Sequence, residues 1–224
     1  MNKTAKTICF TSTFWILIGA IIFFVLQKPI ESPPPPDPVL SVITQEEREF
    51  YKSKIVTVTG GNYMGSGCEM EPGYFLSALH IISNAILDNE PIYVDGVEAK
   101  IVMQGHTEDD FIILTTEKNP DMSKAIPPTY EFIEGEDFIV TGNPGEEQHR
   151  VQTGKVTNVI VPSEDQKRIK PHARKVFAEY IEKGISGGCV YPKGWVVPVG
   201  VATKSDNDLD KKRGEISLAR KRIK

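Results

Sequence analysis

The sequence predicts an all-β domain carried behind a distinct N-terminal segment, and three observations lead to that prediction. From about residue 46 onward the chain is a succession of short apolar runs at strand length, punctuated by Gly, Pro and Asn or Asp. Helix-like patterning is confined to two short stretches, 79–87 and 218–224. No self-similarity at a solenoid or propeller period interrupts the pattern.

In chain order, Ile8 to Leu26 contains no charged residue. As a helix it is roughly 28 Å long at ~1.5 Å per residue, close to the hydrocarbon core of about 30 Å. Val25-Leu26-Gln27-Lys28 lacks the small-x-small pattern of a cleavage site, so residues 1–28 read as a retained membrane anchor rather than a signal peptide. Lys3 and Lys6 precede the apolar run, which puts the bulk of the chain on the extracytoplasmic side, periplasmic or extracellular. Residues 29–45 include Pro33-Pro34-Pro35-Pro36, a run that favours extended polyproline II and reads as a stiff linker.

Residues 46–224 then form the globular domain. Its expected strands are Lys54–Thr59, Tyr63–Glu69, Tyr74–Ala78, Pro91–Val94, Ala99–Gln104, Phe111–Thr115, Asp137–Thr141, Val151–Val161, Lys175–Ile181, Cys189–Tyr191, Trp195–Thr203 and Glu215–Leu218.

Net charge is −4 and 25% of residues are charged, so no overall field favours nucleic acid. Three cysteines, one of them inside the apolar N-terminal run, are too few for a disulfide scaffold and lack zinc-ligand spacing; neither metal nor other cofactor is expected.

Three segments carry chemistry. Gly65-Ser66-Gly67-Cys68 precedes Gly73-Tyr74-Phe75-Leu76-Ser77-Ala78-Leu79-His80, which sets a histidine just beyond a strand, where it can act as a general base near neutral pH. Asp109-Asp110-Phe111-Ile112-Ile113-Leu114 places a carboxylate at the mouth of an apolar strand, able to fix a histidine tautomer. Of the two acids Asp110 is favoured, because it abuts the apolar run and its neighbour points to the opposite face. Gly184-Ile185-Ser186-Gly187-Gly188 lets the backbone turn sharply around a serine and aims successive amides at one point.

Together these segments resemble the chymotrypsin clan of trypsin-like serine proteases, in which His, Asp and Ser follow in that order, and especially its bacterial HtrA/Deg branch. Two further stretches fit the branch: Gly135-Glu136-Asp137-Phe138-Ile139-Val140-Thr141-Gly142-Asn143-Pro144-Gly145, and Trp195-Val196-Val197-Pro198-Val199-Gly200-Val201 after the serine loop. The resemblance covers roughly Lys54 to Ala219.

It implies two six-stranded β-barrels and a serine endopeptidase. The implied catalytic residues are His80, Asp110 and Ser186, and the backbone amides of Gly184 and Ser186 form the oxyanion hole. The implied specificity pocket involves Tyr180, Thr203, Ser205 and Gly214, and the implied partner is a protein or peptide substrate. Position 180 carries no aspartate, so a small or medium apolar residue before the scissile bond is expected rather than Lys or Arg.

The resemblance also implies that Cys68 and Cys189 lie on adjacent strands, where an extracytoplasmic compartment permits a disulfide. Ile185 stands where many animal relatives have an aspartate, which excludes activation by pairing with a newly cut amino terminus. No peptide-binding PDZ domain is expected within these residues. The competing reading is the same fold serving as a catalytically silent protein-binding module.

Overall fold

The computed structural model describes residues 43–105, 109–144, 149–160, 175–178, 181, 184–205 and 214–219. The chain divides into two units, Met1–Val39 and Leu40–Lys224. Among the described residues no helix is long and apolar enough to cross a membrane; the expected anchor and the proline run lie outside them.

The domain begins with a helix that strand patterning does not reveal, α1 (Gln45–Ser53). Its signal is a capping box: the Thr44 hydroxyl accepts from the Glu47 amide at 3.1 Å and the Glu47 carboxylate accepts from the Thr44 amide at 2.7 Å. These bonds satisfy two amides that the first helical turn leaves without partners, and the Thr44 amide holds the Glu47 carboxyl below its ordinary pKa. One helix face is fastened to a strand and loop far along the chain. The Tyr51 hydroxyl donates to the Trp195 carbonyl at 2.9 Å, its ring lies 4.9 Å from that of Tyr191, and the Arg48 guanidinium donates to the Val151 carbonyl at 3.1 Å.

The first barrel comprises β1 (Ile55–Gly60), β2 (Tyr63–Glu71), β3 (Tyr74–Ser77), β4 (Ile92–Val94), β5 (Val97–Gln104) and β6 (Ile112–Thr115), with α2 (Leu79–Leu87) between β3 and β4. Its strand order is β1-β2-β3-β6-β5-β4, closed by β4 pairing back onto β1. Tight turns make this possible. Between β4 and β5 only Asp95 and Gly96 intervene, at φ 47° and 79°, the left-handed pair that a two-residue hairpin matching the strand twist requires. Helix α2 keeps its expected bounds and buries Ile81, Ile82 and Ala85 on one face.

The second barrel comprises β7 (Asp137–Gly142), β8 (Arg150–Ile160), β9 (Lys175–Ala178), β10 (Cys189–Pro192), β11 (Gly200–Ser205) and β12 (Gly214–Leu218). Its closed order, β10-β11-β12-β9-β8-β7, is the strand order of the first barrel repeated. All four residues of β6 and all four of β10 are buried. Strands enclosed on both faces read in sequence as continuous apolar runs instead of alternating ones.

All twelve expected strands therefore have counterparts, with one substantial shift. The strand expected over Trp195–Thr203 begins only at Gly200. The Trp195 amide is used in a turn, donating to the Pro192 carbonyl at 3.0 Å, and Pro198 has no amide to give a ladder. Val196 is accordingly 64% exposed. At the C-terminus Leu218 ends β12 instead of starting a helix; residues 220–224 lie outside the described residues.

Candidate active site

Strand register brings the first two candidate residues together. β3 and β6 are antiparallel with Ser77 opposite Ile112. Continuing that register past both strand ends sets position 79 against position 110, so His80, the second residue of α2, arrives beside Asp110. The carboxylate is used twice: Oδ1 accepts from the His80 backbone amide at 2.8 Å, and Oδ2 lies 2.5 Å from His80 Nδ1. An ionised carboxylate only accepts, so Nδ1 carries a proton, and in the neutral imidazole Nε2 is then the acceptor. Nε2 lies 2.7 Å from the Ser186 hydroxyl oxygen. The imidazole is not sealed off: the His80 side chain is 45% exposed and that of Asp110 29%.

The serine loop is built by its neighbours. Ile185 is fully buried in the second barrel, its backbone and side chain lying against Gly142, where an added Cβ would come within 2.9 Å of the Ile185 side chain. Position 185, directly before Ser186, is thus an apolar anchor. Gly184 adopts φ 94°, a conformation that residues with a Cβ rarely take, and an added Cβ would lie 2.8 Å from Pro144 Cα. The Gly188 amide closes the turn on the Ile185 carbonyl at 2.7 Å, and the Gly187 amide donates to the Ala202 carbonyl at 2.7 Å. Among the described residues, the amides of Gly184 and Ser186 have no protein acceptor. Chemically, a hydroxyl facing a neutral imidazole nitrogen, beside two uncommitted amides, suits attack on a carbonyl and stabilisation of the resulting oxyanion.

Cys68 on β2 and Cys189 on β10 are both fully buried and disulfide-bonded, with their Cα atoms 5.9 Å apart. The bond ties one barrel to the other three residues beyond Ser186. The expected pocket residues are only partly described. Thr203 sits at a bulge in the β11–β12 pairing, and its hydroxyl donates to the Glu215 carbonyl at 3.3 Å. Gly214 pairs with Ser205, and a Cβ on Gly214 would meet the Ile181 side chain at 2.4 Å. Tyr180 and the Ser205 side chain lie outside the described residues. Among the described residues no group of three His, Cys, Asp or Glu side chains could hold a metal ion.

Two residues inside the motifs, but given no role by sequence reasoning, also enter the site. The fully buried Ser66 donates its backbone amide to the Ser186 carbonyl at 3.1 Å, and its hydroxyl accepts from the Asn143 amide at 2.7 Å. The available signal was the recurrence of each beside glycine, in Gly65-Ser66-Gly67 and Gly142-Asn143-Pro144.

No protein-family model matches the chain, and no curated protein matches it in sequence. Solved structures do match in shape. The active form of the Rv3671c protease from M. tuberculosis is 17% identical, with 84% of this chain and 88% of that chain covered and a TM-score of 0.54. Deg5 is 18% identical, with coverage of 80% and 91% and a TM-score of 0.56. The serine endoprotease from Yersinia pestis is 22% identical, with a TM-score of 0.53; 79% of this chain is covered but only 63% of that longer one. At these identities the likeness establishes the fold, that of a trypsin-like serine-protease domain.

Proposed function

We propose that the chain is a serine endopeptidase that cleaves protein or peptide substrates through an acyl-enzyme intermediate. The observation that carries this reading is the continuous chain Asp110 Oδ2, His80, Ser186 Oγ, with separations of 2.5 and 2.7 Å, beside the two uncommitted amides. His80 Nε2 takes the hydroxyl proton as Ser186 Oγ attacks the scissile carbonyl, and the carbonyl oxygen gains negative charge opposite the Gly184 and Ser186 amides. As the intermediate collapses, the C–N bond breaks and the imidazolium returns its proton to the departing amine. Water then enters by the same route, His80 again serving as base, and hydrolyses the ester. Asp110 holds the tautomer and offsets the imidazolium charge throughout.

The substrate residue before the scissile bond is small or medium and apolar, with Thr203 and Gly214 on the strands that receive it; Tyr180 and Ser205 are assigned to the same pocket by the family resemblance alone. The domain is held at a membrane by residues 8–26 and works on the extracytoplasmic side. The support is the uncharged length of that segment, the preceding Lys3 and Lys6, and a disulfide in the folded domain, which belongs to oxidising compartments.

The test is casein cleavage by the purified full chain against Ser186→Ala, with a serine-directed fluorophosphonate as a parallel label. The expected result is labelling of wild type only, and a fall in kcat of several orders of magnitude, up to about 10⁶, in the variant. Equal cleavage by both proteins refutes the assignment of Ser186.

A further inference from the structure

Of three hydrogen bonds that Ser66 makes to described residues, only one depends on its being a serine. Its backbone amide donates to the Ser186 carbonyl at 3.1 Å and its carbonyl accepts from the Ser77 hydroxyl at 2.7 Å, bonds that any residue keeps. The third uses the side chain. Ser66 Oγ, completely buried, accepts from the Asn143 backbone amide at 2.7 Å. A hydroxyl taken out of water is unfavourable unless it is bonded, and alanine would fill the position without that cost. Its specific use is therefore to hold the chain at Asn143. A second tie, from the Asn143 side-chain amide to the Thr57 hydroxyl at 3.3 Å, holds the same residue to the same barrel.

The residue held next is Pro144, and it forms the wall behind Gly184. An added Cβ on Gly184 would lie 2.8 Å from Pro144 Cα and 3.0 Å from both its Cβ and its carbonyl oxygen. The Gly184 peptide thus rests directly on the segment that Ser66 and Thr57 fix. Ser66 reaches the loop from both sides: its amide holds the Ser186 carbonyl and its hydroxyl holds the support of Gly184.

We propose that Ser66 is a positioning residue for the oxyanion-binding amides, holding the Gly184 peptide in place through the Ser66 Oγ, Asn143, Pro144 relay, with Thr57 as its secondary tie. This rests on the endopeptidase reading above. Oxyanion donors act only on charge that develops in the transition state. Releasing their support therefore lowers kcat and leaves KM nearly untouched.

The experiment compares the full chain with Ser66→Ala, Thr57→Val and, as a control, Thr115→Val. Thr115 is a buried hydroxyl at the end of β6 away from Asp110, donating to the Gly73 carbonyl. For Ser66→Ala the expected fall in kcat is about tenfold, less than the 10²–10³ for outright loss of one donor, with KM within about twofold. Affinity for a peptide trifluoromethyl ketone, whose adduct carries the oxyanion, falls by the same factor, while affinity for the product peptide holds. Thr57→Val, at a half-buried site, lowers kcat by about threefold with the same selectivity. Thr115→Val lowers the melting temperature but leaves kcat unchanged.

If Ser66→Ala and Thr57→Val match the control, losing thermal stability but retaining kcat and ketone affinity, the hydroxyl is structural only and the proposal fails. Should Ser66→Ala not fold, a wild-type kcat in Thr57→Val overturns it alone. A wild-type chain that neither cleaves nor takes up the fluorophosphonate overturns the endopeptidase reading and this one with it.

Discussion

Replacing Asp110 with asparagine tests the orienting role of the carboxylate, and the outcome can be worked from the geometry. Oδ1 accepts from the His80 backbone amide at 2.8 Å, and Oδ2 faces Nδ1 at 2.5 Å. In the variant the amide oxygen stays on the backbone N–H, because an NH₂ group there would meet another donor. The NH₂ must then occupy the Oδ2 position and donate to Nδ1. Nδ1 becomes an acceptor, the imidazole proton moves to Nε2, and Nε2–H points at the Ser186 oxygen 2.7 Å away. The hydroxyl then faces a donor and has no base. A tautomer reversed in this way lowers kcat by about 10⁴, equivalent to roughly 5.5 kcal/mol at 1.36 kcal/mol per tenfold. The two side chains are near in size and His80 is 45% exposed, so the melting temperature should change little. The assay is kcat on a peptide amide together with thermal melting, and Asp109→Asn serves as the neighbouring control with kcat within about twofold of wild type. A folded Asp110→Asn enzyme within tenfold of wild type refutes the reasoning, and a large loss in Asp109→Asn instead transfers the role to that residue.

Replacing Cys68 and Cys189 together with alanine frees a loop with a sequence separation of 121. Chain-entropy reasoning puts the loss at about 4.9 kcal/mol. For a domain of this size that is a fall of about 10 °C in melting temperature; an unchanged value by calorimetry refutes the cross-link. Tyr130 supplies a pH test, since burial, followed by a hydrogen bond to Glu136, raises its hydroxyl from the ordinary 10.0 to about 12. The folded state thus holds this proton more tightly, and the stabilisation is full below pH 10, then lost as pH rises through about 12. The melting-temperature gap between wild type and Tyr130→Phe should be constant at neutral pH and shrink over that alkaline window; a pH-independent gap contradicts the assignment.

Much of this fold is legible because its signals are local. Alternating or continuous apolar runs of strand length, bounded by Gly, Pro or Asp-Gly, mark most strands without reference to any other. The hairpin between β4 and β5 is written in two residues, Asp95-Gly96. Helix α2 is legible for the same reason, as is the frame Gly184-Ile185-Ser186-Gly187-Gly188. Helix α1 was readable too, from Thr44 and Glu47, but its short polar sequence lacks the apolar stripe that draws attention. Trp195–Val199 misleads in the opposite way: its composition suits a strand, while Pro198 and the turn from Pro192 withhold the ladder bonds.

By itself, then, the sequence determined a β domain of a dozen strands, the order of its His, Asp and Ser, and an apolar N-terminal segment. Tertiary structure alone decided that β4 closes onto β1 and β7 onto β10, and that Ser66 reaches Asn143. The physical reason is distance along the chain. Alternation and turn chemistry are fixed by neighbouring residues, whereas Ser66 and Asn143 lie 77 positions apart, and His80 and Ser186 lie 106 apart. Such pairs are chosen by which strands can share a ladder and a core, and no local pattern encodes that choice.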